Sequence, residues 1–409
     1  MPICPKCTTP DSIIAGDYKP IAEYNIGESC IGLTFTHVRE VFKREFDGEL
    51  VVIKGSGLLP VMLTPEHPVR VAEFVVQQRL SLKLKGLVWK NAEDIKPASR
   101  HKGGDYLLVP KIRGKLSPRR LNLKNFATPH GVLVAKKKHI PITISLTPST
   151  SWLMGLYVAE GNSTEKGVCF SLGKHEINLK DKVIKIAKAL GYSPCIVNKR
   201  TAIRVEVPSR ILARAFKKWF GEHVYEKRIP PFILYHKNLE VLRAFLDGYL
   251  SGDGCKYLVL WKGEKGWKFS TVSKVLALQL QLLCLRLGFP THITKVTPKE
   301  TCVIEGRTVR QREIYQLRFS TGKGLNKRWR IMQDFACVPV VSVQRTPYKG
   351  NVYNLETGTG TYLINNVLTH NCHGAWLMQT DNPNRFICLS CKTEYELKPV
   401  EKQNQKRKY

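Results

Sequence analysis

Between Cys7 and about Pro110 the chain alternates short apolar runs with glycine and proline punctuation: IIAGDYKPIAEY, LVVIKGSG, LPVMLT, VRVAEFVV and DYLLVPKI. Runs of this length, broken by turn formers and without a 3.6-residue repeat, predict an all-β unit. From about Ser145 to Ala336 the pattern changes. SWLMGLYVAEGN and RAFLDGYLSGDG open two similar stretches. Each continues into a strand run carrying Phe-Ser (Phe170–Ser171, Phe269–Ser270) and an amphipathic helix that stops at Leu190–Gly191–Tyr192 or Leu287–Gly288–Phe289. The runs AIRVEV and IYQLRF follow, each leading to a basic segment. A duplication of this kind predicts two equivalent αββαββα units.

In the two opening helices small residues stand four apart, Gly155 with Ala159 and Gly248 with Gly252, so they share a face and permit close backbone approach. An acid follows each, Glu160 and Asp253. Packing the helices side by side predicts both carboxylates at one end of the interface, placed to share divalent cations around a phosphate. Two solvated helix ends are the plainer alternative, and the repetition at matching register argues against it.

Composition narrows the function class. The 409 residues suffice for two or three domains, and a hydrophobic fraction of 43% is that of a folded chain. Lys and Arg number 65 against 33 Asp and Glu, a formal charge of +32, which points to a polyanionic partner, most simply nucleic acid. No basic amphipathic helix with an aromatic face favours a membrane surface instead. No apolar run approaches about 18 residues and the first residues do not open a signal peptide, so a cytoplasmic location is expected. There, the twelve cysteines are expected to serve metal binding or catalysis rather than disulfides. The cations of the segment Arg113–His139, including Lys115, Arg119, Arg120, Lys124 and Lys136–Lys137–Lys138, fit either an exposed linker or a DNA-contacting stretch.

The remaining chemistry sits near the ends. His370–Asn371–Cys372 places a side-chain amide able to attack its own carbonyl between an imidazole and a thiol. Alone, the tripeptide equally fits a loop ending a strand. Upstream, Cys7 opens CTTPDSIIAGDYKPIAEYNIG, and Thr64 and His67 stand in LTPEHPV at T-x-x-H spacing. Cys4 with Cys7, and Cys388 with Cys391, form two C-x-x-C knuckles suited to tetrahedral Zn²⁺. Joining Lys6 to Cys372 would restore the first knuckle with Cys372 in place of Cys7, giving C-x2-C-x15-C-x2-C in the 44 residues left outside 7–371.

The opening segment, LTPEHPV and the closing VYNLETGTGTYLINNVLTHNC resemble, in order, the sequence blocks of inteins; the paired helices resemble the LAGLIDADG motifs of homing endonucleases; the rejoined 44 residues resemble a zinc ribbon. The resemblance implies a multidomain chain in which an all-β self-splicing (Hint) fold is interrupted by an α+β tandem αββαββα endonuclease. The expected organisation is an N-extein 1–6, splicing parts 7–112 and 337–371, a basic linker 113–144, an endonuclease 145–336 and a C-extein 372–409. It implies that Cys7 attacks the Lys6 carbonyl, Cys372 captures the acyl group and Asn371 cyclises, with Thr64 and His67 serving the first junction, His370 the second, and no cofactor. For the endonuclease it implies Mg²⁺ on Glu160 and Asp253 and a monomer acting on a long asymmetric duplex. Lys227 and Lys327 stand at comparable places in the two copies and are read either as assisting lysines or as ordinary phosphate contacts. Zn²⁺ is expected on Cys4, Cys372, Cys388 and Cys391 of the spliced host. Two departures stand out: Asn354 occupies a position where the family often has Asp, and Gly360–Thr361 a position where it has His. The remaining cysteines, Cys30, Cys169, Cys195, Cys255, Cys284, Cys302 and Cys337, lack metal spacing and are expected to be buried or incidental thiols. The competing readings are a non-enzymatic basic DNA-binding zinc protein and a splicing intein whose endonuclease is inactive.

Overall fold

The computed structural model describes residues 6–77, 81–99, 101–128, 140–259, 264–297, 301–304, 307–310, 312–320 and 329–371, with strands at Leu377–Gln379, Arg385–Cys388 and Glu394–Glu396. Its largest element is a twelve-stranded sheet built from both ends of the chain. Phe35–Gly55 runs antiparallel to Phe335–Thr357 along almost its whole length, with bulges between Val340 and Ser342 and between Glu356 and Thr357. Pro68–Val76, Gly104–Pro110 and the hairpin Thr361–Ile364/Val367–His370 complete its centre. That hairpin turns through Asn365 and Asn366, at φ of 48° and 70°, a left-handed pair that asparagine tolerates and that suits a two-residue loop. The register it sets puts Thr361 opposite His370.

Between these ends the chain folds twice in the same way. The first copy consists of α1 (Pro148–Glu160), strands Gly161–Ser163 and Val168–Gly173, α2 (Ile177–Ala189), strands Cys195–Asn198 and Ala202–Val207, and α3 (Arg210–Phe220). After the short α4 (Pro231–Leu234), the second has α5 (Leu239–Asp253), strands Cys255–Val259 and Glu264–Thr271, α6 (Lys274–Arg286), and strands His292–Val296 and Ile314–Ser320. Both four-stranded antiparallel sheets have the same strand order, with the last strand of each inserted beside the second. The second copy differs from the expected αββαββα unit by the extra hairpin Thr301–Ile304/Arg307–Arg310 and, among the described residues, by having no helix after its last strand. α2 and α6 end alike. Gly191 and Gly288 take φ of +84° and +86°, and paired backbone bonds, Tyr192 N–H to Ala187 O with Gly191 N–H to Lys188 O and their equivalents at Phe289 and Gly288, close a Schellman motif.

α1 begins at Thr147, whose hydroxyl accepts from the Thr150 N–H in a capping box, with Pro148 at the first helical position where no N–H is needed. It lies against α5 at van der Waals distance. A Cβ on Gly155 would sit 2.0 Å from the Phe245 carbonyl oxygen, and one on Gly248 2.0 Å from that of Trp152. Backbone occupies the space, so no rotamer change relieves the clash. Gly155→Ala is therefore expected to destabilise the fold by about 3 kcal/mol, near the upper end for overpacking, read as a lowered midpoint in denaturant unfolding. An unchanged midpoint would mean that the helices are not in contact.

The segment 113–144 is more structured than an exposed linker. Arg120–Asn122 pairs with Thr143–Ser145, and Leu121, Leu123 and Ile144 are buried while Lys115, Arg119, Arg120 and Lys124 remain exposed. Lys136–Lys138 lie outside the described residues. Of the thiols expected to be buried or incidental, Cys30, Cys169, Cys284 and Cys337 are buried, whereas Cys195 and Cys255 are exposed. Buried polar contacts tie the duplicated unit to the large sheet: Asn366 donates to the Leu278 carbonyl at 2.9 Å, the Tyr235 hydroxyl to Gly16 O at 2.8 Å, and Trp329 Nε1 to Ser56 O at 2.7 Å.

Candidate functional site

The two expected junctions, Lys6–Cys7 and the stretch ending at Asn371, both lie near His67, whose ring feels the charges of Lys6 and His370. Thr8 bridges both Tyr353 and Leu63, which seats Lys6 and Cys7 between the Val61–Leu63 strand and the Asn354 stretch. Lys6, Cys7, Thr64 and His67 are all buried. The Lys6–Cys7 peptide is held at both ends. Its N–H donates to Thr64 Oγ1 at 2.8 Å, and its carbonyl, Lys6 O, accepts from Asn354 Nδ2. The Thr64 N–H also holds Cys7 O at 2.9 Å.

His67 lies fully inside. Neither ring nitrogen completes a hydrogen bond of good geometry among the described residues. Burial pushes its pKa down to about 3, and the charges of Lys6 and His370 push the same way, against a smaller opposing effect of the Cys7 and Lys6 backbone. The ring is therefore neutral at pH 7. It can pass a proton to the amide nitrogen by accepting one at one nitrogen and releasing one from the other, but it does not begin as an imidazolium.

The second junction is the end of the Val367–His370 strand. Asn371 is buried, its N–H donates to Gly360 O at 3.1 Å, and its side-chain Nδ2 donates to Thr357 O at 3.2 Å. His370 Nδ1 lies 2.8 Å from Asn371 O, close enough to polarise the carbonyl that the amide would attack, and its ring stands edge-on to Trp89 at 5.0 Å. Thr361, where the resembled family has His, has its hydroxyl at 3.2 Å from the Leu33 N–H rather than at this junction. Cys372, Cys4 and Cys391 lie outside the described residues, as does the side chain of Cys388.

A second cluster forms where α1 and α5 end. An ideal Cβ at Gly252 would approach Glu160 Oε1 to 3.3 Å, so the Glu160 carboxylate lies over the end of α5 beside Asp253. Glu160 is half-buried; Asp253 is exposed as a residue, but its carboxyl is partly enclosed beside Tyr249. Burial raises both pKa values; for Glu160 the Asp253 and Glu176 charges add to it, while Tyr249 and Lys227 partly offset it at Asp253. Two acids held together against repulsion fit a shared cation. No three His, Cys, Asp or Glu side chains converge among the described residues, so the remaining ligands would come from water and substrate. Lys227 is buried, with its ammonium at 2.9 Å from Gly161 O, 3.4 Å from Tyr157 O and 4.2 Å from the Tyr157 ring centroid. It thus caps the carbonyl end of α1, and burial lowers its pKa to about 8 against the pull of Asp253. Lys327 lies outside the described residues.

Sequence reasoning passed over Tyr362 and Thr357, and took Asn354 for a lost acid. Tyr362 donates to Asn354 Oδ1 at 2.8 Å, and the Leu355 N–H does so at 2.7 Å. Both partners are near in sequence, and only the folded backbone aims them at the same atom.

Residues 240–324 match the family model described as a LAGLIDADG-like domain. That stretch is similar to such domains. It spans the second copy of the duplicated unit from α5 onward, and the first copy repeats its strand order. Among curated proteins the chain is 27% identical to the ATP-dependent DNA helicase Hel308 of Thermococcus kodakarensis over 90% of this chain and 36% of the helicase. It is 26% identical to an iron-sulfur cluster assembly SufBD family protein of Mycobacterium bovis over 87% of this chain and 41% of that protein. A DNA polymerase of Thermococcus hydrothermalis is 24% identical over 83% of this chain and 22% of the polymerase. The chain thus spans less than half the length of each of these three. A solved structure of I-DmoI in complex with DNA and Mn is 14% identical, with a TM-score of 0.31 over 43% of this chain and 90% of that one. No helix among the described residues is long and apolar enough to cross a membrane.

Proposed function

We propose that this chain is an intein that excises residues 7–371 and joins Lys6 to Cys372, and that its LAGLIDADG-like unit cuts double-stranded DNA. The observation that carries the splicing reading is that buried His67 lies near both Lys6–Cys7 and the half-buried His370 next to buried Asn371. Nothing in a purely DNA-binding module calls for a peptide bond gripped by its N–H and its C=O, or for an imidazole placed on an asparagine carbonyl. In this reading Cys7 forms a thioester with Lys6, Cys372 takes over the acyl group, and Asn371 Nδ2 attacks its own carbonyl carbon with His370 polarising the oxygen. The relatives support it. A helicase, an assembly factor and a polymerase each share a stretch matching most of this chain and a minority of their own length, the pattern of an inserted element in unlike hosts.

The endonuclease reading rests on the LAGLIDADG-like match, the paired acids and the +32 charge. Glu160 and Asp253 would hold Mg²⁺, which when bound polarises the scissile phosphate and activates water. Two unlike copies in one chain suit a monomer on a long asymmetric site. Residues 1–6 and 372–409 would form the host, with Zn²⁺ on Cys4, Cys372, Cys388 and Cys391. Intact mass after expression tests the splicing reading. Two products, of 365 and 44 residues, are expected; one unprocessed mass under reducing and zinc-free conditions overturns it.

A further inference from the structure

We infer that Asn354 is a catalytic residue of the first acyl shift, donating from Nδ2 to the Lys6 carbonyl oxygen, and that Tyr362 is a positioning residue that holds Asn354 in that orientation. This inference rests on the splicing reading above. The orientation of the amide is fixed by chemistry. The Leu355 backbone N–H and the Tyr362 hydroxyl both point at one atom of the Asn354 side chain, at 2.7 and 2.8 Å. A backbone N–H only donates, so that atom is Oδ1, and the opposite corner, Nδ2, faces Lys6 O. Asn354 is fully buried, where a hydrogen bond to a developing negative charge is worth far more than in water.

The step balances within the residues present. Cys7 Sγ loses its proton and bonds to the Lys6 carbonyl carbon while the C=O π pair moves onto oxygen. The Asn354 N–H stabilises that oxyanion. Collapse re-forms the carbonyl and breaks the Lys6–Cys7 C–N bond. The amide nitrogen, whose N–H is already bound by Thr64 Oγ1, leaves with the proton taken from the thiol and passed through neutral His67. An acid at position 354 would oppose this while ionised. Its charge would repel the oxyanion, and it would donate only when protonated. An amide donates at every pH, so the Asn found here is suited to polarising this carbonyl.

The experiment places each change in an Asn371→Ala/Cys372→Ala precursor, which stops after the first step, and measures dithiothreitol cleavage at Lys6–Cys7 between pH 5 and 9. Asn354→Ala is expected to slow cleavage by about 10²–10³-fold, the usual effect of removing one oxyanion donor. Tyr362→Phe is expected to slow it about tenfold, because the Leu355 N–H still holds Oδ1. Asn354→Asp is the variant that separates catalysis from folding: its rate should rise toward acid pH relative to the parent, as the carboxyl protonates and regains a donor. Equal rates for Asn354→Ala and the parent, or an Asn354→Asp profile parallel to the parent's, overturn the role of Asn354 alone. A parent that is not cleaved by thiol overturns the splicing reading and this inference with it.

Discussion

An Asn371→Ala precursor is expected to yield no ligated 44-residue product and no free C-terminal fragment, while thiol-induced cleavage at Lys6–Cys7 persists. In the splicing reading the side-chain Nδ2 of Asn371, which donates to Thr357 O at 3.2 Å, would attack the carbonyl whose oxygen lies 2.8 Å from His370 Nδ1. Alanine offers no nucleophile, so the loss should be complete rather than partial. His370→Ala removes only the polarising group and should slow release by about 10²–10³-fold. Electrospray mass spectrometry of the two variants after identical incubation checks both expectations. A ligated host from Asn371→Ala would remove the chemical basis of the assignment.

The other large effect lies in the LAGLIDADG-like unit. Glu160→Gln and Asp253→Asn should each lower double-strand cleavage of the uninterrupted host-gene site by about 10³-fold or more, since metal-assisted charge stabilisation supplies several kcal/mol. Splicing should proceed at the wild-type rate, because the carboxylates sit at the ends of α1 and α5 and touch neither junction. Stability gives an independent readout. Both acids have folded-state pKa values above their unfolded ones, so the fold binds their protons more tightly, and metal-free stability from this pair is greatest at acid pH and is lost as pH rises through the carboxylate range. Glu160→Gln should flatten that decline and raise the melting temperature of the metal-free protein at pH 7, while abolishing the stabilisation that Mg²⁺ gives the wild type. Unchanged cleavage by either variant, on DNA that the wild type cuts, refutes a shared metal.

Local sequence determined the elements. Short apolar runs between Gly and Pro specify strands because they are too short and too irregular for a helix, and the repeated Leu-Gly-aromatic specifies two helix ends because glycine at φ near +85° closes a Schellman turn at no Cβ cost. The small residues of α1 and α5 announced a close helix pair, since a Cβ at Gly155 or Gly248 would fall 2.0 Å from a carbonyl oxygen of the facing helix. Asn371 between His370 and Cys372 stood out by its chemistry, and Cys7, Thr64 and His67 only by their resemblance to intein blocks. Their environment was not legible. The neutral state of His67 depends on full burial and on Lys6 and His370, which are remote in sequence. Asn354 read as a missing acid; its bond to Lys6 O joins residues 348 positions apart, across strands that pair only once the large sheet closes. The same holds for the Asn366–Leu278 bond between the sheet and the duplicated unit. Such contacts are set by which strands become neighbours, a long-range choice made by burying whole faces together. Spacing along the chain carries no information about it.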